Sequence, residues 1–347
     1  MVGPDVREFW GRGTISASEN HERLLSIMTG YWRSQAIYAA VNVGLVDALD
    51  DQPRSPAQVA RATGCDEVTI ARFLRYLAGL RLVHQENDNL YVATGMAELL
   101  RDGSPFRDLV LLYGDEFYQA WGQFSSAIRT GNSAFDQAFG MDHFTYFTQT
   151  QDSARRFDRA MAASTELIAD QLGQVFDFSA ATCIVDIGGG NGSLLKAVLV
   201  GVPAACGVVV DQEHVVAACT RELAGHSLAD RITAVPGDFF RFLPASGDVY
   251  VLSRILHDWA DEDCVRLLRV CRKAMSPAAR LLVIERLLPE DGGVSLASSW
   301  DMHMLAITGG RERTCQEYQR LLSEAGLRLG SVRSLPLDMS VLVTDPL

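Results

Sequence analysis

From residue 182 onward, short β-branched runs alternate with stretches of helical period, and no other feature restricts the fold as tightly. The runs are "TCIVDI" (182–187), "CGVVVD" (206–211), "ITAVPG" (232–237), "DVYVLS" (248–253) and "RLLVIER" (280–286). Residues near 191–201, 212–225 and 260–275 space their apolar positions as helices do. Strands that are apolar along their length and separated by helices are buried on both faces, which predicts a parallel sheet in an α/β domain. A last run, "DMSVLVTD" (338–345), follows a helix without another crossover and is expected to be an antiparallel edge strand.

Open α/β sheets bind ligands at the carboxyl ends of their strands. The first strand ends in "VDIGGGNGSLL", where Gly188, Gly189, Gly190 and Gly192 allow a tight turn and close backbone approach. A dinucleotide loop, G-x-G-x-x-G, would need glycine at 193, and Ser193 stands there. The competing ligand is S-adenosylmethionine (SAM), which has no pyrophosphate. It needs room for an amino-acid tail, an acid for the ribose hydroxyls and an acid or amide for the adenine amine. Asp211 ends the second strand, 23 residues after Gly188, and suits the ribose. Asp238 and Phe239 in "PGDFF" follow the third strand and suit the adenine.

The first half reads differently. Leu24, Leu25, Met28, Trp32, Ala36, Ala39, Ala40 and Val43 recur at helical spacing over residues 21–50. Ser55, Pro56 and Gln58 form a capping box that opens a helix stopped by Gly64. Asp66 caps a second helix with the apolar stripe Ile70, Phe73, Leu74, Leu77 and Leu80. "RLVHQ" and "NLYVAT" then pair across "ENDN". Helix, turn, helix, hairpin is a winged-helix pattern, yet residues 55–92 balance four Arg (61, 72, 75, 81) against four acids (66, 67, 86, 88). Nucleic acid needs uncompensated cations, and the whole chain carries −12, so a DNA-binding regulator is the weaker alternative to a scaffold or dimerisation element. Residues 116–165 are rich in aromatics, most for a core and some to wall a pocket for a flat ligand.

Length (347 residues) and 48% hydrophobic content suit two globular domains. The N-terminal stretch has no apolar h-region and no run of about 18 apolar residues exists, so neither a signal peptide nor a membrane span is expected. Seven scattered cysteines, none in a ligand-like cluster, read as reduced cytoplasmic thiols.

"RILHDWADED" (254–263) places His257 where the fourth strand gives out. A lone histidine there is commonly just a satisfied core or surface residue. Together with "GLVDAL", "FDRAM" (157–161), "VDIGGGNG", "GDFF", "LHDW" and "GGRERT" (309–314), however, the chain resembles over nearly its whole length the class I SAM-dependent small-molecule O-methyltransferases. These are the plant caffeic acid and flavonoid enzymes and the bacterial enzymes that tailor aromatic antibiotics. The resemblance implies a Rossmann-like SAM domain (166–347), an N-terminal winged-helix-like dimerisation domain (1–115) and connecting helices that line the pocket (116–165). It makes His257 the general base, flanked by Glu285 and Glu312. It assigns SAM to Asp186, Gly188, Gly190, Asp211, Asp238, Phe239, Ser253 and Arg254, and the acceptor to Met161, Asp258, Trp121, Phe157 and Met304. Plant members carry lysine four residues before the histidine, where this chain has Ser253 followed by Arg254.

The resemblance further implies a homodimer whose acceptor is a phenolic or polyketide-type aromatic. A SAM-binding relative doing N-methylation, hydroxylation or decarboxylation is the other enzymatic reading. No Asp/Glu/His set in the sequence looks like a magnesium site, and the base is expected to titrate at about 6–8. Arg7 and Arg12 near Trp10 are candidates for reaching a carboxylated acceptor across a dimer.

Overall fold

The structure, a computed structural model, describes residues 17–49, 52–86, 89–293 and 295–347. Arg7, Trp10 and Arg12 lie outside them. The chain divides into two compact units that meet in sequence at Gly103 and Ser104.

In the first unit, helices Ala17–Met28, Tyr31–Asn42 and Leu45–Ala48 precede the pair Pro56–Thr63 and Glu67–Gly79. The capping box forms: Ser55 Oγ accepts from the Gln58 N–H, and the Gln58 side chain accepts from the Ser55 N–H at 2.8 Å. Asp66 caps the next helix through the Thr69 N–H. Strands β1 (Val83–Gln85) and β2 (Tyr91–Ala93) form the antiparallel wing. Val59, Ile70, Leu74, Leu77, Leu82 and Tyr91 are its core. Leu24, Leu25, Ile27 and Met28, on the first helix, stay more than half exposed.

The second unit is built on β3 (Cys183–Ile187), β4 (Cys206–Asp211), β5 (Ile232–Pro236), β6 (Val249–Ser253), β7 (Arg280–Leu288), β8 (Arg313–Thr314), β9 (Leu327–Ser334) and β10 (Met339–Pro346). The sheet order is β5-β4-β3-β6-β7-β10-β9, with β8 joined to the far end of β7. The first five strands are parallel; β10 runs antiparallel to both β7 and β9. Alternation along each strand feeds two cores. Ile184, Val249, Val251, Leu282 and Ile284 face one, and Val185, Tyr250, Leu252, Leu281 and Val283 face the other.

The final apolar run is thus antiparallel but not the edge strand. β9 takes the edge. Its sequence, LRLGSVRS, mixes apolar residues with Arg, Gly and Ser because one margin faces water, so it lacks the apolar signature of the buried strands. The aromatic-rich helices and helix Leu296–Ile307 contribute to a third core of Phe117, Phe135, Phe147, Ala160, Ala306 and Ile307.

Candidate active site

β3 lies between β4 and β6, so the crossovers from β3 leave in opposite directions and open a crevice at the carboxyl ends of β3 and β6. The glycine loop follows β3. Gly188, Gly190 and Gly192 all have positive φ, and Gly192 starts helix Ser193–Gly201. Close packing also demands glycine: a β-carbon at Gly188 would lie 2.5 Å from Ile255 Cδ1, and one at Gly189 would lie 2.6 Å from the Asp186 carboxyl carbon.

Three acids gather around this loop. Asp186 is buried with Oδ2 unpartnered, and its carboxyl is pushed up to about 7 by burial, reinforced by Asp211. Asp158 rises to about 6 for the same two reasons. Burial also raises Asp211, although its carboxylate accepts from the backbone N–H groups of Gly190 (2.9 Å) and Gln212 (2.7 Å). Crowded, desolvated carboxylates of this kind are relieved by a cation, and they therefore fit the sulfonium and ammonium of SAM. Asp238 accepts from the Phe240 N–H at 2.9 Å and pairs with Arg241 at 3.1 Å. The Phe239 ring lies against the glycine loop, 3.7 Å from where a Gly188 β-carbon would stand.

Ser253 closes β6, and Arg254 turns the chain with φ 56°. A non-glycine residue holds that conformation only under local constraint. The Arg254 N–H donates to the Ile284 carbonyl at 2.9 Å, and its Nη2 donates to the Met161 carbonyl (3.2 Å) and Thr165 Oγ1 (2.5 Å). Arg254, which follows the Ser253 at the plant lysine's position, is thus tied to helix Gln151–Val175.

His257 sits in the short turn Leu256–Asp258, buried. Its Nδ1 lies 3.2 Å from Glu312 Oε1 and 3.5 Å from Glu285 Oε2, and its Nε2 lies 3.9 Å from Asp258 Oδ1. Glu285 Oε1 accepts from the Ile255 and Leu256 N–H groups at 3.0 and 2.8 Å, so the acid on β7 also braces the turn. Arg313, fully buried, donates to the Leu256 and Trp259 carbonyls and to Asp261, fastening the segment from the other side. Burial alone would depress the imidazole, but Glu285, Asp258 and Glu312 outweigh it and push the ring up to about 9. Three carboxylates converging on one ring favour its protonated form, a direction above the 6–8 expected from the sequence. His257, Glu285 and Glu312 also bring one ligand atom each within 4.8 Å of one another, a His/acid set that sequence spacing did not reveal.

Facing the turn is an aromatic wall. Phe157 stacks on Phe147, with centroids 4.6 Å apart, and Met161 packs on the same cluster. Trp121 donates its indole N–H to His303 Nδ1 at 3.2 Å, and Met304 is buried on the same helix as His303. The sequence reading missed Tyr113, His143, His303 and Arg286. Burial, with the charge on His257 adding to it, lowers His143 to about 4 and His303 to about 3, so all three imidazoles share one electrostatic neighbourhood. The signal for Arg286 was present: a second charge beside Glu285 inside an otherwise apolar stretch of β7.

Residues 121–328 match the O-methyltransferase domain and residues 25–102 the O-methyltransferase dimerisation domain. The 3-amino-4-hydroxybenzoate 4-O-methyltransferase of Streptomyces cremeus is 45% identical over 91% of this chain and 87% of its own. The solved structure of mitomycin 7-O-methyltransferase MmcR superposes with a TM-score of 0.86 at 34% identity, covering 96% of this chain and 100% of that one. CalO1, a methyltransferase in calicheamicin biosynthesis solved in its S-adenosylhomocysteine-bound form, gives 0.82 at 35% identity, over 96% and 100%. The chain therefore belongs to the SAM-dependent O-methyltransferases, with the family's homodimerising N-terminal domain and its catalytic α/β domain.

Proposed function

We propose that this enzyme methylates a phenolic hydroxyl of an aromatic or polyketide-type small molecule, with His257 as the general base. The observation that carries the reading is the buried imidazole held at Nδ1 between Glu312 and Glu285, which leaves Nε2 for the acceptor. A phenol titrates near 10. A ring near 9 is a stronger base toward it than an ordinary histidine, and the two carboxylates stabilise the imidazolium that forms.

SAM, when bound, supplies an electrophilic methyl carbon. Asp186, Gly188, Gly190, Asp211, Asp238, Phe239, Ser253 and Arg254 form its pocket in this reading. Met161, Phe157, Trp121, Met304 and Asp258 hold the acceptor ring so that its oxygen, the methyl carbon and the sulfur fall in line. The S. cremeus relative, by name, methylates a hydroxybenzoate, which is the type of acceptor we favour. Seven unpaired cysteines support a reducing, cytoplasmic setting, and no helix among the described residues is long and apolar enough to cross a membrane.

The test is mass spectrometry of a phenol, aminophenol and polyketide library incubated with methyl-labelled SAM. Label on oxygen of an aromatic acceptor is expected; label only on nitrogen, or none, would displace this reading.

A further inference from the structure

Among the described residues no side chain forms an ion pair with Arg286, although Glu312, Glu285 and Asp338 act on its charge from beyond ion-pair distance. Arg286 is 3% exposed on β7, its Nε is buried without an acceptor, and among the described residues no guanidinium nitrogen donates to protein and no carboxylate lies within ion-pair distance. Arginine cannot shed its charge as a buried lysine does, so a desolvated guanidinium calls for an anion. Its one strong contact is with a ring face: the guanidinium carbon stands 3.9 Å above the Trp300 centroid. Stacking engages the flat face of the cation and leaves the N–H groups along its edge open.

The surroundings say what the anion is attached to. Tyr113 packs edge-on to Trp300 (6.2 Å) and face-on to His303 (5.2 Å), and Phe117 and Trp300 both meet His303 edge-on at 5.1 and 5.2 Å. Trp121 occupies His303 Nδ1 as a donor, so the neutral ring carries its proton on Nε2 and adds no competing charge. His303 holds Trp121 and neighbours Met304 on its helix, two side chains that the proposed function sets against the acceptor, so this aromatic wall borders the acceptor's room. Successive side chains leave a strand on opposite faces. Glu285 accordingly braces the His257 turn while Arg286 reaches Trp300.

We propose that Arg286, laid on Trp300 beside Tyr113, binds a carboxylate carried by the acceptor, so that the substrate class is the hydroxyaryl carboxylic acids. The planar fork of the guanidinium matches a carboxylate through two parallel N–H···O bonds. This subsite rests on the phenol-methylating function proposed above.

The test uses the full-length protein with 3- and 4-hydroxybenzoate and their methyl esters. Methyl transfer from SAM is measured in one arm, and calorimetric binding to the S-adenosylhomocysteine-loaded protein in the other. Wild type should prefer an acid over its ester by about 10–100-fold in kcat/KM, the usual worth of a charge-assisted pair. Arg286→Met should collapse that preference through the acid's KM, and Arg286→Lys should keep part of it. Equal handling of acid and ester by wild type overturns the subsite whether or not the variants fold. So does a loss in Arg286→Met that falls equally on acid and ester, because that marks Arg286 as a structural support and not a carboxylate site. Arg286-dependent binding of the acid without methyl transfer to any phenol would overturn the proposed function and leave the subsite standing.

Discussion

Gly310 passes so close to His257 that a β-carbon on it would stand 2.1 Å from the His257 carbonyl oxygen. The same carbonyl accepts from the Arg311 N–H at 2.8 Å, so the "GGRERT" segment is stitched to the histidine turn one residue before it delivers Glu312. Gly310→Ala must force the two segments apart. Turnover should fall by about 100-fold, the cost of displacing a catalytic group by roughly an ångström, with SAM affinity retained. Single-turnover rates beside calorimetry check this; a fully active variant would mean that the close approach is not needed for catalysis.

Replacing His257 with alanine removes the base and leaves the glycine-loop pocket intact. Turnover should drop by about 10²–10⁴-fold at nearly constant SAM affinity. Glu312→Gln should cost less, since an amide still accepts a hydrogen bond but cannot balance an imidazolium. Chelators should have no effect. If His257, Glu285 and Glu312 instead hold a catalytic metal ion, chelation will abolish turnover and added divalent metal will restore it.

The pH profile follows from the raised imidazole. A base works unprotonated, and the three acids hold the proton on the ring above the ordinary imidazole range, up to about 9. kcat/KM should therefore climb with pH through neutrality, by nearly tenfold per unit well below the midpoint, and level off only above pH 9. A plateau already reached at pH 7 would show that the three acids do not hold the proton as their geometry implies. Removing one of them, as in Glu312→Gln, should move the midpoint down.

The cofactor pocket titrates in its own way. Asp186 near 7 and Asp158 near 6 must be ionised to attract a cation, so SAM affinity should strengthen as pH rises from 5 to 8, with proton release on binding. Calorimetry in buffers of different ionisation enthalpy counts those protons. S-adenosylhomocysteine, which lacks the sulfonium charge, should show a shallower trend. Asp211→Ala should weaken SAM by roughly 1.5–3 kcal/mol if its carboxylate bonds the ribose; unchanged affinity would remove Asp211 from the site.

Leu24, Leu25, Ile27 and Met28 leave a strip of apolar side chains in water on one short helix, more than a monomer leaves uncovered without a reason. Ile27→Asp should shift the enzyme from dimer toward its 38.0 kDa monomer at micromolar concentration. Sedimentation equilibrium reads the change. A wild-type protein that already sediments as the monomer would contradict dimerisation through this strip.

What the sequence determined by itself is what neighbouring residues settle among themselves. The Ser55–Gln58 capping box, the Asp66 cap, the glycines that turn the chain after β3 and the five buried parallel strands are all visible locally, because capping, φ and strand burial depend on residues a few positions apart. Even the partners of His257 were legible, but only through resemblance, since nothing local links position 257 to 285 and 312. The edge role of β9 was hidden because a strand with one margin in water needs no apolar run. The 2.1 Å approach of Gly310, the basicity of His257 and the unpartnered Nε of Arg286 were decided by tertiary structure alone. Each depends on desolvation and on charges brought together from segments far apart in the chain, and a one-dimensional pattern carries neither distance nor dielectric.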